Sequence, residues 1–374
     1  MHTIDEWSDY LDSKSGTHIH AIFLDWKKAF DRVPHKRLLS KLKHFGVNGC
    51  VLAWLTDFLS NRTQQVIYKG SQSLPCDVVS GVIQGSVLGP LLFNLYMIDL
   101  PKCVTSPIVQ YADDSTLYRV IRSQDDIVIL QSDLSNIETW CYNNGMELNT
   151  DKCKVMDITN CDSLNVPYII NKQPLEYCYS EKLLGVIIAS NLKWNIQTDA
   201  VRQKAAKLLG FVARNLRGCT SRVKRLAYVT LIKPVMLYGT PSWHPTTSEN
   251  CSKLESIHRR GLRFIYGKNP TDLEKKSLPT IQQQLLYNDL TFFNSCTTGK
   301  TDLNITRKVM QGREIRGQPG VHRLIPPKAR TSARLNGYVY RTVCNYNALP
   351  LDLKTCPSKA FKDSCMKHVM GHAN

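Results

Sequence analysis

Apolar, β-rich runs of this sequence border acidic side chains at two places, and this feature restricts the possible folds more than any other. The run HIHAIFL is followed by Asp25, and IVQYADDSTLYRV predicts a hairpin with a turn at Ala112–Ser115. A carboxylate at the end of a buried strand is costly unless it is paired or binds a metal ion. The pattern therefore predicts a sheet with functional carboxylates at the ends of two strands.

Asp25 and the hairpin residues Asp113 and Asp114 would form one cluster if the two strand ends lie side by side. Such a cluster needs divalent cations, and two Mg²⁺ ions about 4 Å apart are a standard device for nucleotidyl transfer. The residues alone leave a simpler alternative open. Asp-Asp before Ser is typical of a turn, and an Asp after a strand often caps a helix.

Short strands and amphipathic helices fill the rest of the first half. Helices are predicted at 26–46 with a break at Pro34, at 51–62, at 89–101 and at 125–145, and short strands near 64–70, 74–81, 146–149, 154–159 and 182–188.

The second half is helical and strongly basic. Residues 1–190 contain 17 Lys and Arg against 21 Asp and Glu, whereas residues 191–374 contain 31 against 10. This asymmetry favours a polyanionic partner, and we expect nucleic acid rather than an anionic membrane surface. The helix predicted at 198–217 has one apolar face, and four basic residues lie largely off it: Arg202, Lys204, Arg214 and Arg217. Any one of them could equally belong to a solvated helix face.

Thirteen cysteines are scattered without a CxxC pair or a Cys/His spacing typical of zinc sites. The polar start MHTIDEWSDYLDSKSG does not resemble a signal peptide. We therefore expect reduced thiols and an intracellular protein, nuclear or cytoplasmic and not secreted. The longest uncharged run lies between Asp77 and Asp99, and its Gln, Pro and Asn favour a buried core segment over a membrane span.

Five segments resemble, in order and spacing, the successive motifs of reverse transcriptases: FLDWKKAFDRVPH, GVIQGSVLGPLLFNLYM, QYADDSTLY, GMELNTDKCKVM and KLLGVII. The ending NYNALPLDLKTCPSKAFKD is similar to the C-terminal region of jockey-like LINE elements. The chain thus resembles a non-LTR retrotransposon reverse transcriptase over nearly its whole length.

The resemblance implies roles for residues of the predicted sheet. Asp25 and Asp113 match the two metal-binding aspartates, and Asp114 matches the accessory one. Phe30 matches the aromatic residue that crowds the sugar 2′ position and would exclude ribonucleotides. Without the resemblance, a Phe on a helix is more often a core residue. Lys152 matches the lysine suggested to protonate the leaving pyrophosphate, although it could be an ordinary loop lysine.

Two short loops also match family motifs. Gln84 and Gly85 match the loop that packs on the incoming nucleotide and the template, since Gly permits close backbone approach and Gln offers an amide. The alternative is an ordinary turn before a helix with Pro in its first turn. Leu184 and Gly185 resemble the primer-grip hairpin, and alone they would indicate a core strand.

The resemblance implies an α+β fold of the right-hand polymerase type. We expect a palm with an antiparallel sheet and flanking helices at 1–189, a helical thumb at 190–268 and a basic C-terminal region at 269–374. The implied activity is RNA-directed DNA polymerisation with two Mg²⁺ ions, or Mn²⁺. The implied partners are an RNA template, a DNA primer and deoxynucleoside triphosphates, without a membrane.

Two other functions remain open from the residues. One is a catalytically inactive remnant that still binds nucleic acid through its basic half. The other is a metal-dependent nuclease, which would not explain Phe30, Gln84 and Gly85. The sequence also departs from the family pattern. Only 24 residues precede Asp25, so the fingers and their triphosphate-binding cations are expected to be largely absent, and Tyr346 occupies a position that is usually Trp.

Overall fold

A computed structural model describes residues 1–301, 310–315, 318–357 and 360–371. The helices are, in chain order, α1 His2–Ser13, α2 Ala29–Arg32, α3 His35–His44, α4 Gly49–Leu59, α5 Leu88–Met97, α6 Gln124–Asn144, α7 Asn195–Asn215, α8 Ser221–Ala227, α9 Lys233–Leu237, α10 Thr240–Trp243, α11 Ser248–Tyr266, α12 Asp272–Lys276, α13 Ile281–Thr297, α14 Ser332–Leu335, α15 Tyr338–Asn347, α16 Leu351–Lys354 and α17 Phe361–Gly371. A 3-10 helix at Leu100–Cys103 and a π-helix at Tyr228–Ile232 complete the helical elements of this part of the chain.

The strands are β1 His18–Leu24, β2 Thr63–Gln64, β3 Ile67–Tyr68, β4 Ser71–Gln72, β5 Cys76–Asp77, β6 Ile108–Tyr111, β7 Asp114–Ile121, β8 Lys154–Ile158, β9 Ile169–Ile170, β10 Gln173–Pro174, β11 Glu176–Tyr177, β12 Ser180–Leu183, β13 Val186–Ala189, β14 Met310–Ile315 and β15 Gln318–Ile325. The chain divides into two compact units. The sheet unit is Gly16–Leu184, and the helical unit is Met1–Ser15 with Gly185–Asn374.

The sheet unit is built on a five-stranded sheet in the order β11-β8-β1-β7-β6. Strand β1 lies at its centre and pairs antiparallel with both β7 and β8. All seven residues of β1 are buried, as expected for a strand with neighbours on both edges and side chains in the core. Its two histidines are accommodated by partners, because His18 Nδ1 lies 2.9 Å from Asp157 Oδ2 and His20 Nδ1 lies 2.7 Å from the Tyr168 hydroxyl.

Local signals fix most helix ends of this unit. Pro34 separates α2 from α3, as predicted. The Asp126 carboxylate accepts hydrogen bonds from two backbone N–H groups at the start of α6, and Gly145 ends this helix in the left-handed conformation with φ 67°. The strand predicted near 146–149 is wrong. Only Leu148 forms a bridge there, with Trp26, because the chain turns at once through the Cys153 N–H to Asn149 carbonyl bond.

The helical unit packs α7, α8, the π-helix and α11 around one apolar core. The π-helix precedes Pro234, which lacks an N–H for the Thr230 carbonyl and so favours a locally wider turn. Helix α1 was not predicted. Its Trp7 is fully buried, and Asp5 forms a buried ion pair with Arg334 of α14 at 3.2 Å.

The α+β class is confirmed, with aspartates at the ends of the neighbouring strands β1 and β7. The sheet is mixed rather than wholly antiparallel as expected, because its edge strand β11 runs parallel to β8. The domain boundaries after residues 189 and 268 stay predictions. Within the described ranges, no helix has the length and apolar character needed to cross a membrane. All thirteen cysteines are free, as expected for reduced thiols.

Candidate active site

The strand register, continued one step past the end of β1, sets Asp25 opposite Asp114. The last β1–β7 pair is Leu24 with Ser115, so the next pair in the same antiparallel register is Asp25 with Asp114. Opposite residues of antiparallel strands have Cβ atoms about 4.5–5.5 Å apart and point to the same face of the sheet. The two carboxylates that the sequence placed on different strand ends are therefore neighbours.

Asp113 lies in the tight turn that joins β6 to β7. Tyr111 pairs with Asp114, which leaves only Ala112 and Asp113 in the turn. Ala112 adopts φ 52°, a left-handed conformation that costs about 1–2 kcal/mol for a residue with a Cβ. Asp113 directly precedes Asp114, and its charge contributes to the raised pKa of the Asp114 carboxyl.

The three carboxylates interact electrostatically. Partial burial raises the pKa of the Asp114 carboxyl, and the negative charges of Asp113 and Asp25 raise it further. Asp25 is half-buried, whereas Asp113 and Asp114 are exposed. Like charges held close together lower the free energy of a bound cation, since the cation removes their mutual repulsion.

The backbone of Asp25 is fixed by the loop that carries Lys152. Asn149 N–H donates to the Asp25 carbonyl at 2.8 Å, and Asp25 N–H donates to the Cys153 sulfur at 3.4 Å. Cys153 is buried. Mainly because of this burial, and to a smaller extent because of the nearby Asp25 charge, the pKa of its thiol is raised to about 11. Lys152 is exposed on this loop, one residue from the Asp25 contact. No sequence signal had indicated Cys153.

Phe30 lies on α2, shortly after Asp25. Its ring stacks on the buried ring of Phe93, with centroids 4.5 Å apart and an interplanar angle of 24°. Phe30 remains half-buried, so one part of it packs on the core and another part is accessible. The geometry is compatible with both of the roles that the sequence left open.

The Gln84 loop packs against α2. Gln84 is exposed, and its Nε2 donates to Asp31 Oδ1 at 2.9 Å. Gly85 has φ 82° and no atom within 4 Å of the position that a Cβ would take, so its backbone conformation rather than close packing favours glycine. Gly81 was missed by the sequence interpretation. It has φ 97°, and a Cβ there would lie 2.9 Å from the Asp31 backbone.

At the Asp25, Asp113 and Asp114 site, a metal ion would have only a few protein ligands. Among the residues that the structure describes, no group of three His, Cys, Asp or Glu side chains is arranged around a cation position. Mg²⁺ usually takes only one or two carboxylates and completes its shell with water and substrate phosphates. The oxygen donors of Asp25, Asp113 and Asp114 fit this requirement and would not form a closed cage by themselves.

The other predicted residues lie at the end of the sheet unit and in the helical unit. Leu184 and Gly185 link β12 to β13 and have φ 47° and 83°. On α7, Ala205, Leu209 and Val212 are buried, as the apolar face predicted. Lys204, Arg214 and Arg217 are exposed, whereas Arg202 is half-buried and its Nε lies 3.6 Å from Asp199.

Comparisons with known proteins identify the family. The family model described as "Reverse transcriptase (RNA-dependent DNA polymerase)" matches residues 2–212, more than half of the chain. The chain belongs to this family.

Its relatives come from non-LTR elements, which confirms the resemblance seen in the motifs. "Probable RNA-directed DNA polymerase from transposon BS" of Drosophila melanogaster is 27% identical over 71% of this chain and 31% of its own length. "RNA-directed DNA polymerase from mobile element jockey" of the same species is 27% identical over 66% of this chain and 28% of its own length. The chain thus spans about a third of the length of these relatives.

A telomerase structure from Candida albicans is similar at 14% identity with a TM-score of 0.30, covering 79% of this chain and 52% of that one. A TM-score this low does not establish a common fold.

Proposed function

We propose that the sheet unit catalyses template-directed addition of deoxynucleotides to a primer 3′-hydroxyl, with RNA as the template. The observation that carries the proposal is the β1–β7 register, which brings Asp25 opposite Asp114, with Asp113 in the adjoining two-residue turn. Membership of the reverse transcriptase family supports it.

Asp25, Asp113 and Asp114 would hold two Mg²⁺ ions, with Mn²⁺ as an alternative. When bound, the ions would favour ionisation of the attacking 3′-hydroxyl and stabilise the leaving pyrophosphate. Burial and the charges of Asp113 and Asp25 raise the pKa of Asp114, and a bound cation would offset this repulsion.

Other side chains of the sheet unit would select and orient the nucleotide. The accessible part of Phe30 would occupy the space of a ribose 2′-hydroxyl. Gln84 and Gly85 would contact the incoming nucleotide and template, since the Gln84 loop packs directly on the helix of Phe30 through Asp31. Lys152 would donate a proton to pyrophosphate from its loop beside Asp25.

The helical unit would bind the nucleic-acid backbone. Lys204, Arg214 and Arg217 are exposed cations on or beside α7, and such cations bind phosphates without reading sequence. Arg202 would contribute less, because Asp199 already pairs with it. Leu184 and Gly185 would form the primer-grip hairpin and hold the primer 3′ end.

The experiment is a primer-extension assay with the purified chain, a primed RNA template, Mg²⁺ and four deoxynucleotides. Products longer than the primer should appear, although slowly because the fingers are expected to be largely absent, and omission of one deoxynucleotide should stop them at the first position that needs it. Binding without extension would favour the inactive remnant. Shortening of the primer or template would favour a nuclease.

A further inference from the structure

We propose that an exposed strip of aromatic and cationic side chains on the sheet unit binds unpaired bases of single-stranded RNA. We use the name stacking strip for two groups that follow each other in the chain: Trp54, Phe58 and Arg62 on and just after α4, and Tyr68 with Lys69 at the β3–β4 turn. It is separate from the carboxylates and from the cations of the helical unit, and nothing in the proposed catalytic chemistry requires it.

Trp54 begins the strip. All six tryptophans lie in the described part of the chain, and the other five are buried or half-buried, whereas Trp54 is 55% exposed. One turn further along α4, Phe58 stacks on it with ring centroids 5.5 Å apart and an interplanar angle of 16°. The two rings are therefore nearly parallel, with Trp54 exposed and Phe58 half-buried against the core beneath it.

Two cations extend the strip beyond α4. The Arg62 guanidinium lies 5.9 Å from the centre of the Phe58 ring, and the Lys69 ammonium lies 5.4 Å from that of Tyr68. Tyr68 is 68% exposed. The acidic residues nearest to these two cations in the chain are Asp57 on α4 and Asp77 on β5, the strand that pairs with β2 beside Arg62. Alternating exposed rings and cations are the usual surface for single-stranded nucleic acid, since bases stack on rings and on guanidinium planes while cations hold phosphates.

The strip leads towards the Gln84 loop. Arg62 also lines an open cleft of about 710 Å³, whose walls include the cations Lys28 and Arg32, the carboxylates Asp31 and Asp77, and Gln84. A strand stacked on Trp54 would thus continue past Arg62 to the loop proposed to contact the template. That direction rests on the proposed function, whereas the binding itself does not.

An apolar protein partner would be the other occupant of such a face. RNA is favoured because both exposed ring groups have a cation beside them, which an apolar partner would have to desolvate without compensation. The same cations attract phosphates.

The test measures binding of a fluorescein-labelled single-stranded oligoadenylate by anisotropy, with EDTA present and at raised salt. EDTA removes any contribution from the metal site, and salt weakens binding to the basic helical unit in every variant. Trp54→Ala should lose about tenfold in affinity, because stacking of one base contributes about 1–3 kcal/mol. Trp54→Phe should retain most of the affinity. The matched control is Tyr142→Ala on α6, which removes an aromatic residue that is 85% exposed on the same unit.

Acrylamide quenching supplies a second measurement that does not depend on how well variants fold. Oligoadenylate should protect the accessible tryptophan fluorescence of the wild-type chain, and duplex RNA of equal length should protect it less. Equal affinities of Trp54→Ala and Tyr142→Ala, or unchanged quenching at saturating oligoadenylate, would overturn the proposal. A failure of primer extension alone would contradict the proposed function and leave this result unaffected.

Discussion

Gly81 should be the least replaceable glycine of the loop that carries Gln84. Its φ of 97° alone makes an L side chain unfavourable by about 1–2 kcal/mol. A Cβ would also lie 2.9 Å from both Cα and carbonyl oxygen of Asp31 and 3.0 Å from the Phe30 carbonyl oxygen. These are backbone atoms that cannot rotate away, and overpacking of this kind costs about 1–3 kcal/mol. Gly81→Ala should therefore destabilise the sheet unit by about 2–5 kcal/mol.

Gly85→Ala is the matched control. Gly85 has a similar φ of 82°, but no atom lies within 4 Å of the position that a Cβ would take, so only the conformational cost of about 1–2 kcal/mol applies. Amide hydrogen exchange of peptides from β1 measures opening of the sheet unit without requiring both units to unfold together. If the two variants lower β1 protection equally, the close approach of Gly81 to α2 has no energetic consequence and the reasoning is refuted.

Three further outcomes are expected. Asp5→Ala should lower the free energy of unfolding by about 3–5 kcal/mol, because it removes a carboxylate partner from the buried Arg334 guanidinium. Asp9 pairs with the same guanidinium from an exposed position, so Asp9→Ala should cost only about 0–1 kcal/mol. Equal shifts of the melting temperature in the two variants would contradict this. Burial lowers the pKa of His20 to about 4, so its neutral form stabilises the fold above pH 6.5, and stability should fall as pH drops from about 6.5 towards 4. A His20→Gln variant that keeps the full pH dependence would rule out this contribution. Phe30→Val should admit ribonucleotides markedly better in extension assays, and an unchanged discrimination ratio would show that Phe30 is only a core residue.

Features encoded in local sequence were predicted well. The apolar run of β1, the hairpin around the Asp-Asp pair and the helix ends at Pro34 and Gly145 all depend on residues within a few positions of each other. The opposition of Asp25 and Asp114 was expected only as a possibility, because strand register depends on pairing between distant segments.

Features that depend on distant contacts were missed. Most side chains of helix α1 are polar, so little in the sequence indicated that it packs on a core. Its Asp5 pairs with Arg334, a residue more than three hundred positions away that local sequence cannot identify. Gly81 was predicted only as the last residue of a strand, and the requirement for glycine there arises from the close approach of α2. Arg202 is a different case: its ion pair with Asp199 was not predicted, although residues three positions apart on a helix are neighbours and the spacing was available in the sequence.

The central claim is that Asp25, Asp113 and Asp114 act as one site for nucleotidyl transfer, separate from nucleic-acid binding. The direct measurement compares Asp113→Asn with the wild-type chain in Mg²⁺-dependent primer extension and in RNA affinity over a series of salt concentrations. We predict that extension is abolished, while the affinity and its steep salt dependence stay nearly unchanged. Extension that persists in Asp113→Asn, or affinity that is lost together with it, would contradict the account.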